Sequence, residues 1–190
     1  MKKVINNLND LKEIISSSSI SETVNSYILA SNPICFDGKD NIIYELRKSL
    51  SDHFDVHLKN IEIVGSGKIG ISLNPSPKRY GKKFDKDSDI DLVIVSSELF
   101  DIAWHELIKK EDKLFGEEEK MTSCYKDIPM GIISPNKLPI KMEFSEKWWD
   151  IFESLSSNTK FESRKIRGRL FKDWWFVEKY YSIQLANLSR

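Results

Sequence analysis

The sequence predicts a mixed α/β chain, a small sheet flanked by helices at both ends, and three patterns predict it. Two short apolar runs, Ile61 to Val64 and Ile90 to Val95, lie beside turn-forming residues and read as buried strands. Ile140, Met142 and Phe144 alternate with Lys141 and Glu143, the period-two signature of a third strand with one polar side. Ile166, Leu170, Trp174, Val177, Tyr181, Leu185 and Leu188 step by threes and fours, which predicts one long C-terminal helix.

The remaining elements follow in chain order. Val4, Leu8, Leu11 and Ile15 make the stripe of a short amphipathic helix, broken by Ser16 to Ser19. Ser19 with Glu22 three residues on fits a capping box, and Val24 with Ile28 gives the next short helix an apolar side. Beyond Asn32-Pro33 and Asp37-Gly38, the spacing of Ile43, Leu46, Leu50 and Phe54 predicts a helix from about Asp40 to Phe54. Gly67 to Asp87 is loop-rich, and Ile102, Leu107, Ile108 and Phe115 predict a helix from Asp101 to about Phe115. The acidic run Glu117-Glu118-Glu119 beside it reads as a solvated face.

Composition narrows the function classes. With 190 residues, 40% of them hydrophobic, the chain can bury a core and is not a disordered or low-complexity polymer. Its zero formal net charge argues against a globally basic nucleic-acid binder. Cys35 and Cys124 supply neither a disulfide framework nor a zinc quartet, so a reducing, cytoplasmic setting is expected. No stretch approaches the roughly 20 apolar residues of a membrane span, and neither a signal peptide nor an anchor is expected.

Chemistry concentrates at two places. Asp89 and Asp91 open the run Ser88-Asp89-Ile90-Asp91-Leu92-Val93. On a strand, positions i and i+2 share a face, so both carboxylates point one way while Ile90, Leu92 and Ile94 supply the buried side. Such a pair suits Mg²⁺ (or Mn²⁺), a hard ion that works with substrate phosphates. Two solvated aspartates at a polar strand end are the plainer alternative. Upstream, Val64-Gly65-Ser66-Gly67 closes the first strand with a glycine turn whose bare N–H groups and hydroxyl can hold phosphate, with Lys68 as a nearby cation. A P-loop is excluded, because Glu62 and Ile69 stand where that motif needs Gly and Ser or Thr.

Together, Val64-Gly65-Ser66 and Asp89-Ile90-Asp91 resemble the DNA polymerase β-like nucleotidyltransferase superfamily. Its signature is an apolar strand ending in Gly-Gly or Gly-Ser, a strand carrying Asp-x-Asp, and a third acid on another strand. The resemblance covers roughly Ile61 to Phe144. It implies that Asp89 and Asp91, the catalytic pair, ligate two Mg²⁺ ions and that Gly65 and Ser66 hold the triphosphate, with Glu143 the candidate third catalytic and metal-binding acid; Lys68 and Ser88 are further nucleotide-binding candidates. A solvated pairing of Glu143 with Lys141 is the alternative. It further implies a nucleotidyltransferase core over residues 37–150, between an N-terminal helical extension (1–36) and a C-terminal helical appendage (151–190).

One departure is the 22 residues between Ser66 and Asp89, longer than in the family's compact members. The extra loop carries Lys78, Arg79, Lys82 and Lys83, candidates for phosphate or acceptor, or merely a solvated insertion. Arg164, Lys165, Arg167 and Arg169 could grip phosphate from the tail, whose aromatics read mainly as helix packing. The expected activity is transfer of a nucleoside monophosphate from an NTP, ATP among them, to a small-molecule, protein or RNA acceptor, releasing pyrophosphate. The rivals are a catalytically silent nucleotide-binding module of a toxin–antitoxin or defence complex, and an RNA-binding protein acting through the tail.

Overall fold

A computed structural model of the chain describes residues 4–110, 118–138 and 142–188. Their order is α1 (Leu8–Ser17), α2 (Ile20–Thr23, continued by a π-helical turn over Val24–Leu29), α3 (Asp40–Phe54), β1 (Ile61–Val64), α4 (Ser66–Ile69) and β2 (Ile90–Val95). There follow α5 (Ser97–Lys110), α6 (Glu118–Asp127), β3 (Ile132–Ile133), α7 (Glu143–Ser157), β4 (Ile166–Phe171) and α8 (Trp174–Leu188). The strands form one mixed sheet in the order β1-β2-β4-β3. β1 runs antiparallel to β2, β2 parallel to β4, and β3 antiparallel to β4. This is the mixed α and β class that the sequence predicts.

Both faces of the sheet are covered, which divides the core into two layers. Ile61 and Ile63 of β1, Ile90, Leu92 and Ile94 of β2, and Ile166 and Leu170 of β4 pack with α3, α5 and α7 through Leu46, Leu50, Phe100, Leu107, Trp148 and Phe152. Val64, Val93, Val95 and Phe171 face the other way, toward α1, α2 with its π turn, and α8. The strand alternation decides which residues join which layer. It leaves Asp91 and Arg167 on the second face, under α8.

Local signals explain the boundaries. Asn7 caps α1 by accepting the N–H groups of Asn9 and Asp10, and Ser19 caps α2 by accepting the Glu22 N–H at 3.0 Å. α3 spans its predicted range and closes on Asp55 in the left-handed region. α5 begins at Ser97 rather than Asp101, because the Ser96 hydroxyl accepts the Leu99 N–H and stops the preceding strand there. Phe115 and Glu117 lie outside the described residues, and Glu118 and Glu119 open α6, which no sequence pattern announced.

Two expectations are corrected. The predicted strand over Ile140, Met142 and Phe144 does not form at its described end: Met142 is the residue before α7, and Glu143 and Phe144 are its first turn, while Ile140 and Lys141 lie outside the described residues. The predicted helix from Ile166 is strand β4 as far as Phe171, and α8 begins at Trp174. A spacing of four satisfies a period of 2 as well as one of 3.6, so Ile166 and Leu170 share a face in either structure. The alternation Ile166-Arg167-Gly168-Arg169-Leu170 is the strand signal.

Gly168 is the tightest packing point of the sheet. A Cβ there would stand 2.3 Å from Phe152 Cζ and 2.8 Å from Trp148 Cζ2, so α7 lies on β4 only because the side chain is missing. Gly168→Ala is expected to destabilise the chain by about 2 kcal/mol through overpacking, a fall in Tm of about 4–8 °C by thermal denaturation.

Candidate functional site

The site begins at the turn out of β1. Gly65 adopts φ +66°, and a Cβ built on it would lie 2.9 Å from Asp91 Oδ2. Val64 pairs with Asp91 across the ladder, so the turn into α4 is laid directly on that carboxylate. Glycine serves twice here: it reaches the left-handed region without strain and admits the close approach. Ser66, half-buried, follows as the first residue of α4.

Parallel pairing of β2 with β4 then sets arginines beside the acids. Asp91 stands opposite Arg167 and Val93 opposite Arg169, while Arg167 Nη2 reaches Asp89 Oδ2 at 3.0 Å. Arg169 lies over the Tyr180 ring, 5.2 Å from its centroid, and donates to the Tyr180 hydroxyl. Burial, the largest influence, holds the Asp91 carboxyl above its ordinary pKa; Asp89 adds to the shift, and Arg169, Arg167 and Arg79 oppose it. Burial likewise lifts Tyr181 well above the usual tyrosine value, with Tyr180 and Asp91 next in effect. The result is a carboxylate pair beside the guanidiniums of Arg167 and Arg169, with Arg79 acting on Asp91 from the loop and Tyr180 and Tyr181 of α8 alongside.

Other predicted residues lie elsewhere. Lys68 is withdrawn from any phosphate: its side chain is 1% exposed, and Nζ donates to Glu62 Oε1 at 2.9 Å and Leu29 O at 3.3 Å. Burial lowers its pKa and Glu62 counters. Arg47 takes the other Glu62 oxygen at 2.7 Å, making a structural knot behind the glycine turn. Ser88 donates to Asp85 Oδ1 and accepts the Asp85 N–H, which shapes the loop end. Arg164 clamps that same end, donating to Asp85 O and Ser88 O while lying over Phe84, so it is a loop fastener rather than a free phosphate ligand.

Of the loop cations, Lys82 pairs with Asp85 at 2.9 Å, Lys83 bridges to Ile71, and Lys78 is exposed. Arg79 is one of the main influences on Asp91. Glu143 does not join the aspartates. It opens α7, which covers the opposite sheet face, and its carboxylate, 72% exposed, pairs with Lys147 at 2.8 Å. Tyr180 and Tyr181 were missed as site residues because the helical stripe accounts for Tyr181 as packing. The neighbouring Arg-x-Arg alternation was the available signal that a charged strand face needed a cover.

The donor set bears on the implied metal. Among the described residues no three or more His, Cys, Asp or Glu side chains gather as a metal site. The β4 positions that share the aspartates' face are arginines. These residues do not fit the three-carboxylate, two-ion set. They do fit one hard divalent ion held by Asp89 and Asp91 with phosphate oxygens completing its shell.

Two stability effects follow at neutral pH. Asp91→Asn removes a half-buried carboxylate whose charged form burial disfavours, and is expected to raise Tm by about 2–4 °C, about 1 kcal/mol, in ligand-free protein. Lys68→Ala opens the buried pair with Glu62 and is expected to cost about 3 kcal/mol in a denaturant titration. Comparison of the chain with protein-family models, with curated proteins and with solved structures finds no match.

Proposed function

We propose that the Asp89–Asp91 face binds a nucleoside triphosphate together with one divalent ion, and that it serves transfer of the nucleotidyl group to an acceptor. The observation that carries this is the seat of the Gly65-Ser66 turn on Asp91, with the carboxylate pair and the guanidiniums of Arg79, Arg167 and Arg169 on one face. A carboxylate pair needs a cation, and guanidiniums beside it need an anion; a metal–triphosphate complex satisfies both. The glycine turn and Ser66 would cradle phosphate, and Arg167 and Arg79 would take the charge that develops on the leaving pyrophosphate. When bound, the ion would supply charge neutralisation at the α-phosphorus and a lowered acceptor pKa. The acceptor class, whether small molecule, protein or RNA, is open to the assay below.

Arginine in place of a third acid favours a second reading, a module that binds the nucleotide without turnover. One experiment separates the two. The protein is incubated with Mg²⁺ or Mn²⁺ and each α-³²P-labelled NTP, with cell RNA, lysate protein and small-molecule extract as separate acceptors, beside Asp89→Asn/Asp91→Asn. Label moved by the unaltered chain only establishes transfer. Metal-dependent NTP binding that the double variant loses, without label transfer, establishes the silent module. Binding that survives the double substitution, or none at all, sinks both.

A further inference from the structure

We infer that Arg167 is an internal counter-ion that gates the carboxylate pair, closing Asp89 to a bare divalent ion and yielding it to an ion that arrives with a polyphosphate. The inference rests on the nucleotide reading of this face and specifies how its ligand enters. Arg167 Nη2 already holds Asp89 Oδ2 at 3.0 Å, and so occupies a carboxylate oxygen that a bound cation would need. Its side chain is 44% exposed, against 25% for Asp89, so the contact that holds it among the described residues is half-solvated. Such a pair exchanges partners easily, and the planar guanidinium fork matches two phosphate oxygens better than one carboxylate oxygen.

Charge selects the same ligand. Asp89 and Asp91 face the guanidiniums of Arg79, Arg167 and Arg169, which leaves one net positive charge on the face. A bare dication adds to that excess and is repelled, whereas a triphosphate more than neutralises the ion it carries and is attracted. Arg167 is the member of the set already bonded to the carboxylate pair. Arg169, likewise exposed, is tied to Tyr180 by a hydrogen bond and ring contact, and Arg164 is spent on the carbonyls of Asp85 and Ser88.

Mn²⁺ binding, read from the electron spin resonance of the free ion, tests the gate in the full chain, in Arg167→Gln and in Asp89→Asn. It is measured with Mn²⁺ alone and with a non-hydrolysable ATP analogue, corrected for Mn²⁺–nucleotide association in solution. Arg167→Gln is expected to bind Mn²⁺ alone at least about tenfold more tightly than the unaltered chain, and the nucleotide at saturating Mn²⁺ at least about tenfold more weakly. Should Arg167→Gln fail to fold, the unaltered chain still decides: nucleotide must raise its Mn²⁺ affinity at least about tenfold, and absence of that coupling overturns the gate. Unchanged Mn²⁺ affinity in Arg167→Gln, with nucleotide binding that Asp89→Asn abolishes, overturns the gate and leaves the nucleotide reading standing. Nucleotide binding that ignores both Mn²⁺ and Asp89→Asn overturns the two together.

Discussion

Parallel pairing between β2 and β4 is the constraint from which both the core and the candidate site follow. Its register places Ile90, Leu92 and Ile94 beside Ile166, Gly168 and Leu170, and Asp91, Val93 and Val95 beside Arg167, Arg169 and Phe171. A slip of β4 by one residue would carry the arginines into the layer under Trp148 and Phe152, and Ile166 and Leu170 to the face under α8. Neither exchange is tolerable, since an unpaired guanidinium in an apolar layer costs far more than the ladder contributes. Register is therefore specified from both faces at once. Because parallel strands need a crossover, the segment from α5 through α7 lies between them and supplies two of the three helices that cover the first face, α5 and α7.

Fold and site make opposite demands at Asp91. The core would gain from an apolar side chain there, since Val64 stands opposite and Tyr181 lies above. A buried carboxylate destabilises the ligand-free state, and natural chains retain such groups where a ligand recovers the loss. Elsewhere the one fully buried charge among the described residues is paired, Lys68 with Glu62 and Leu29 O. The half-buried carboxylate on which the Gly65 turn rests instead has Arg167 opposite it across the ladder.

Legibility in the sequence divided along physical lines. β1, β2 and α3 were readable because each has an unbroken pattern bounded by turn residues, and the i, i+2 rule alone placed Asp89 and Asp91 on one face. α7 was hidden because Met142-Glu143-Phe144 alternates for only three residues before Trp148, Phe152 and Leu155 resume a helical stripe. β4 was hidden because Ile166 and Leu170 satisfy two periods, and the deciding residue, Gly168, has no side chain to register in either. Glu143 and Lys68 illustrate a separate limit: spacing names a charged residue but not its partner. Glu143 turned to Lys147 on the far side of the sheet, and Lys68 turned inward to Glu62.

What the sequence could not convey is the sign of the face. Two aspartates read alone describe an acidic strand end, and the arginines that reverse it arrive some seventy-five residues later, on a segment with a helical disguise. Once β4 lies beside β2, the local field is set by five charges on one surface rather than by two on one strand. On the proposed reading that changes the ligand. An acidic pair attracts bare cations, whereas a face with these five charges would be matched by an anion that carries a cation within it. Arg169 is held by the Tyr180 hydroxyl and ring, whereas Arg167 is held by Asp89. On the proposed reading, the first guanidinium shapes the site and the second answers its ligand.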